Sequence, residues 1–143
     1  MTLYVDTSAL VRRYLRDRHL PMVLDAMGGD DAWCASALVR TEAQLALHRA
    51  AGSSRQQREL WRLLRDDWDA FWVVPMDERC MARAVEVGAT YGLRTVDAIH
   101  LAAAGRLPGP VRYLTLDRQQ IPAAAALGFE VLSPLETSAP ERP

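Results

Sequence analysis

The chain has no lysine: all 17 basic residues among its 143 are arginine. That absence removes several chemistries that place an amine at the site. Phosphoacceptor receiver domains gather aspartates at the rim of a parallel sheet but rely on a nearby lysine. Haloacid dehalogenase-type phosphohydrolases also use a lysine, and they need Asp-x-Asp where this chain reads Asp6-Thr7-Ser8. A nucleotide-binding P-loop needs a glycine-rich loop ending in lysine, and neither is present. Cysteine is nearly as scarce. Cys34 and Cys80 stand far apart, with no Cys-x-x-Cys and no histidine pair at metal-ligand spacing, so they read as reduced core thiols rather than a zinc site or a disulfide framework. No run of 18 apolar residues occurs, and no basic leader precedes a long apolar stretch. Neither a secreted nor a membrane-spanning form is expected, and the expected location is the cytoplasm. The net charge of -1 gives no global pull on polyanions, so any nucleic-acid contact must come from local patches. No Ser-His-Asp or Cys-His arrangement offers nucleophilic catalysis.

What is present is an ordinary globular composition, half hydrophobic, at a length suited to one domain. Residues 1–136 form that expected domain, and 137–143 (SAPERP and the residue before it) a flexible tail. LYVD (3–6) reads as a short buried strand, with Ser8 as the cap of a helix through ALVRRYLRD. Pro21 opens a second short helix that ends at Gly28-Gly29. AWCAS (32–36) is a second strand, followed by a helix from Ser36 to Gly52 and another after Ser53 or Ser54. FWVVPM (71–76) is a third strand, and Asp77 caps the helix after it. TVDAIHLAAAGRL (95–107) is a helix with Thr95 at its cap. VRYLTLD (111–117), QQIPAAAALG and EVLSP complete the pattern as strand, helix and strand. Strands alternating with helices predict an α/β fold with a mainly parallel, five-stranded sheet covered on both faces. Sites in such sheets form beyond the carboxyl ends of the strands, where the strand order reverses.

Four acids stand where that rule directs attention. Asp6 ends the first strand and Asp117 the fourth. Asp97 falls in the first turn of an otherwise apolar helix. Glu42 shares a helical stripe with Leu38 and Leu45, where an unpaired charge is costly. Each has an ordinary alternative: a cap or turn residue for Asp6, a favourable dipole position for Asp97, a strand-end turn for Asp117, and pairing with Arg40 or Arg49 for Glu42. Taken together they favour a carboxylate cluster that would repel itself without divalent cations. Oxygen-only ligation suits Mg²⁺ or Mn²⁺ rather than zinc, and such ions serve phosphoryl chemistry by activating water.

YVDTSALV, TEAQLA, TVDAIHLAAA and YLTLD followed by AAALGFEVL resemble, in this order, the motifs of PIN-domain proteins, and among these the VapC toxin ribonucleases of type II toxin–antitoxin systems. The resemblance spans almost the whole chain and implies a PIN-like three-layer α/β/α fold. It implies that Asp6, Glu42, Asp97 and Asp117 are the catalytic acids and metal ligands for Mg²⁺ or Mn²⁺, Asp6 and Asp97 foremost, with Ser8 and Thr115 supporting them. It implies a metal-dependent endoribonuclease that acts on single-stranded segments of structured RNA. It further implies a homodimer and a VapB-like antitoxin that plugs the acidic site and carries the DNA contact, in a toxin–antitoxin hetero-oligomer. A PIN nuclease of RNA processing without an antitoxin, and a non-catalytic PIN-like binding module, remain open.

For substrate contact, Arg12, Arg13 and Arg16 follow soon after Asp6, and Arg can grip phosphate with a rigid fork. Arg55, Arg58, Arg62 and Arg65 share one helical face, which reads as a solvated surface tempered by Glu59, Asp66 and Asp67. Trp61, Leu64, Trp68 and Trp72 read mostly as core, and an exposed part would suit an antitoxin helix. His100, three residues beyond Asp97, reads as a packed or surface histidine rather than a substrate contact.

Overall fold

Alternation along the first strand sets the layers. A computed structural model of the chain describes residues 1–29 and 31–134. In β1 (Thr2–Val5), Leu3 and Val5 face one side of the sheet and Tyr4 the other, all three fully buried. A strand buried on both faces is what an apolar run with no polar alternation dictates. The other strands are β2 (Ala32–Ser36), β3 (Trp72–Val74), β4 (Val111–Leu114) and β5 (Glu130–Leu132). All neighbouring pairs are parallel, in the order β3-β2-β1-β4-β5, so the sheet is wholly rather than mainly parallel.

The helices divide between the two faces. Leu3, Val5, Ala35 and Leu114 pack under α1 (Thr7–Leu10), α2 (Leu20–Met27), α3 (Ala37–Ala50) and α4 (Ser54–Trp68). Tyr4, Val74, Val111 and Tyr113 pack under α5 (Glu78–Tyr91), α6 (Thr95–Ala104) and α7 (Gln120–Ala126). The result is the expected three-layer α/β/α arrangement. Connection order places the switch between β1 and β4: the chain builds outward through β2 and β3, then returns to the other side of β1. The crevice of the fold therefore opens past the carboxyl ends of these two central strands.

Several local expectations shift. The helix after β1 starts at Thr7 rather than after Ser8, and α1 gives way to a 3₁₀ turn at Val11–Arg13 instead of running on through Asp17. Polar contacts draw that stretch aside: Arg12 pairs with Asp17 at 2.6 Å, and the Tyr14 hydroxyl donates to Asp67 at 2.7 Å. Thr95 does not cap α6; Arg94 holds the cap position without a side-chain cap bond, and Thr95 is the first helical residue. β3 and β4 are shorter than the sequence suggests, so Asp117 lies three residues beyond β4 rather than at its end. Caps at Ser53 and Asp77 stand as expected, accepting the N–H groups of Gln56 and Cys80. Cys34 and Cys80 are buried free thiols. No helix among the described residues is long and apolar enough to cross a membrane. The expected tail, 137–143, lies outside the described residues, as does the end of the expected domain.

Candidate active site

Asp6 leaves β1 at the crevice. It holds the N-cap position of α1, yet its carboxylate does not cap the helix. Oδ2 accepts instead from the Ser8 hydroxyl at 2.6 Å and the Thr115 hydroxyl at 2.8 Å. Each hydroxyl is pinned in turn, because the Leu116 N–H donates to Ser8 Oγ and the Asp117 N–H donates to Thr115 Oγ1, both at 2.9 Å. The two loops that leave β1 and β4 are thus tied together through the acid. Asp6 is 2% exposed, and its Oδ1 lies 3.5 Å from His100 Nε2.

Glu42 comes from the middle of α3. The buried stripe of that helix is Val39, Ala43 and Leu47, while Leu45 is exposed, so Glu42 borders the core rather than sharing a stripe with Leu45. Two bonds to its Oε1 aim it into the crevice, from the Thr7 hydroxyl at 2.8 Å and from His100 Nε2 at 2.7 Å. His100 is 1% exposed, and its Nδ1 meets the Tyr4 hydroxyl at 3.0 Å, which also accepts the Ser36 N–H. Burial alone would push the His100 pKa down; the Glu42 hydrogen bond and the charges of Asp6, Glu42 and Asp97 outweigh it and raise the value. Burial would push Glu42 up, and the His100 bond, the His100 charge and Thr7 hold it below the usual carboxylate range.

Asp97, also 2% exposed, sits in the first turn of α6. Gln120 Nε2 donates to its Oδ1 at 3.0 Å, and the Tyr113 hydroxyl donates to Gln120 Oε1 at 2.6 Å, which fixes which way the amide faces. Tyr4 and Tyr113 are register partners on β1 and β4 and stack with centroids 5.2 Å apart. Beneath the crevice the stacked pair thus supports two acids, one through an imidazole and one through an amide. Asp117 is half-buried; burial first, then the charges of Asp97 and Asp6, raise its pKa.

The four acids line one cavity of about 510 Å³ with Ser8 and His100. Thr115 lies fully buried beneath it. Arg12 and Arg13 are not among the lining residues: Arg12 pairs with Asp17, and Arg13 pairs with Asp67 and lies over the Trp33 ring. Arg16 is exposed and also absent from the lining. The lining arginine is Arg94, whose Nε is 3.0 Å from Asp97 Oδ2 and whose Nη2 is 3.3 Å from Asp117 Oδ2. On α4, Arg62 is tied to Glu59 and Asp66, and Trp61 Nε1 donates to the Gln44 carbonyl. Thr7, Arg94, His100 and Gln120 were not singled out by sequence as parts of this network. The i, i+3 spacing of Arg94, Asp97 and His100 was the available signal; Tyr4 and Tyr113 meet only across strands.

The donor set consists of carboxylate oxygens, the chemistry Mg²⁺ or Mn²⁺ prefers. Among the described residues no three of His, Cys, Asp or Glu are gathered into a ready cation cage. Mg²⁺ needs only one or two carboxylates and keeps several waters, so a cavity of this size faced by four acids fits such an ion.

The PIN domain family model matches residues 3–127. The chain belongs to the PIN-domain family. This PIN chain is similar to ribonuclease VapC46 of Mycobacterium tuberculosis strain ATCC 25618 / H37Rv, at 34% identity over 92% of the chain and 97% of that protein. It is also similar to ribonuclease VapC47 of Mycobacterium tuberculosis strain CDC 1551 / Oshkosh, at 30% identity over 92% and 96%. Among solved structures it is similar to a toxin–antitoxin complex from Klebsiella pneumoniae, with a TM-score of 0.66 and 19% identity over 92% of this chain and 96% of that one. At that identity the structural likeness speaks for the PIN fold.

Proposed function

We propose that the chain is a metal-dependent endoribonuclease, the toxin of a VapBC-type toxin–antitoxin module. The observation that carries this is the convergence of Asp6, Glu42, Asp97 and Asp117 on one cavity at the switch between β1 and β4. The likeness to two VapC ribonucleases supports the reaction class, and the likeness to a toxin–antitoxin complex supports an antitoxin partner. Asp6 and Asp97 would hold Mg²⁺ or Mn²⁺, with Glu42 and Asp117 completing the set directly or through water. When bound, such an ion would supply Lewis acidity and lower the pKa of a water it holds. The chain's own part is orientation. Ser8 and Thr115 hold Asp6, Gln120 holds Asp97, and His100 with Thr7 holds Glu42, which fixes the three acids at the cavity wall.

A VapB-like antitoxin would block the acidic cavity and carry any DNA contact. A second copy of the chain would dock on the outer face of α5. There Val85 is 72% exposed beside Met81, over a groove of about 190 Å³ lined also by Gly88, Ala89, Leu93 and Ile99. Exposed apolar surface of this kind marks interaction sites.

The deciding experiment adds Mg²⁺ or Mn²⁺ to the purified protein with RNA. Wild type is expected to cleave, and Asp6→Asn to fall to background while its circular dichroism stays native. Equal cleavage by the two proteins would sink the nuclease assignment. A neighbouring short gene for a DNA-binding protein would tie the chain to an antitoxin.

A further inference from the structure

We propose that Arg94 is a counter-cation that the chain supplies to its own acid cluster, and that a divalent ion must displace it from Asp97 and Asp117 in order to bind. The inference rests on the metal-dependent reading of the site. Arg94 stands just ahead of α6, three residues before Asp97, so the backbone delivers its guanidinium to that acid. The same group spans to Asp117, which comes from a different loop, with Nη2 at 3.3 Å. Its hydrogen bonds go to these two carboxylates.

The two sides of the contact differ in freedom. Asp97 is 2% exposed and gripped from behind by Gln120, whereas the Arg94 side chain is 69% exposed. The guanidinium can therefore swing away without disturbing the core, and the carboxylate stays where it is. While it remains, a divalent ion approaching the same oxygens meets a positive charge within hydrogen-bond distance of both acids. The arrangement also gives a reason why the four acids share a cavity without closing into a ready cage among the described residues. The fork geometry of arginine suits this role, since one planar group reaches two carboxylates.

The test measures metal binding rather than cleavage. Full-length wild type, Arg94→Gln and Arg94→Lys are titrated with Mn²⁺ by calorimetry without RNA. Arg94→Gln is expected to bind Mn²⁺ about 5- to 10-fold more tightly, the scale that one or two partly exposed ion pairs carry. Arg94→Lys, which keeps the charge, should fall between the two. In wild type the Arg94 Nε–H resonance should move on Mg²⁺ titration with the midpoint of metal binding. Equal or weaker Mn²⁺ affinity in Arg94→Gln overturns the inference and leaves the metal site standing. Failure of both proteins to bind Mn²⁺ overturns the inference and the metal reading together. Because Arg94 is exposed and makes no side-chain cap bond, the variants are expected to fold as wild type does.

Discussion

Asp6 is held by two hydroxyls that are themselves held, and this makes Thr115 a residue whose loss is felt at the site more than in the fold. Its Oγ1 donates to Asp6 and accepts from the Asp117 N–H, so one atom sets the orientation of one acid and the start of the loop that carries another. Thr115→Val keeps the shape and removes both bonds. Outer-shell partners of metal ligands typically matter 10–100-fold, so Mn²⁺ affinity by calorimetry should fall at least about 10-fold, with Thr115→Ser restoring most of it. Thr115→Val with wild-type affinity would show that Asp6 needs no such support. His100 gives a second prediction at this scale. In the metal-free protein its pKa is raised and that of Glu42 is lowered, so the pair stabilises the fold between those values. The His100 share is complete below the ordinary imidazole range and is lost as pH climbs through its raised value. The Glu42 share holds above the ordinary carboxylate range and is lost as pH falls through its lowered value. Melting temperatures of metal-free protein across pH should therefore decline on the alkaline side, and His100→Gln should flatten that decline; an unchanged profile would refute the pairing. Asp6 and Asp97 were legible in the sequence as acids at a strand end and in an apolar helix. Glu42 borders its buried stripe and Asp117 lies beyond β4, so their place at the cavity was read from patterns that hold only loosely. The groups that orient the acids were not legible, because Tyr4, Tyr113 and Gln120 are unremarkable until the sheet brings them together.

At the level of elements, the alternation of short apolar strands and helices was enough to predict the layers and the crossovers. Boundaries were less legible where side chains compete with the helix, as Arg12, Tyr14 and Asp17 do after α1. Strand order was open as well, since β4 inserts beside β1 through tertiary pairing that no local signal encodes. The junction between α5 and α6 matters most for the site, because it delivers Arg94 and Asp97. It turns on Gly92, which closes α5 in the left-handed region at φ 65° and ψ 41° while its N–H bonds the Gly88 carbonyl. A Cβ there would meet nothing within 4 Å, so the cost of Gly92→Ala is backbone strain alone. That strain is about 1 kcal/mol, which lowers the melting temperature by about 3–5 °C in a domain of this size. Calorimetric melting checks it. Metal affinity measured well below the transition should stay at the wild-type value, and a loss there would mean that the turn also tunes the site.

Across the whole molecule, the α5 groove and the acid cavity are two pockets that meet at Thr95, and Met81 and Val85 line only the groove. Trp72, at the exposed edge of the sheet, is 71% exposed and alternates onto the same face as Val74, which packs toward α5. With Met81 and Val85 it leaves an apolar margin on the α5 side that solvent alone covers poorly. Edge strands with this character invite pairing unless something covers them. If a second copy covers this margin, Val85→Glu should shift the sedimenting species from dimer toward monomer, because the new carboxylate would be buried without a partner. Its melting temperature should change little at low concentration, since Val85 lies outside the core. The acid cavity is lined by Asp6, Arg94, Asp117 and residues of α1, α3, α6 and α7, and not by Val85, so Mn²⁺ affinity per chain should match wild type. Sedimentation equilibrium of both proteins, read beside the metal titration, separates the possible faces. An unchanged dimer in Val85→Glu would place the interface elsewhere, and loss of metal binding together with the dimer would mean that each cavity depends on its partner chain.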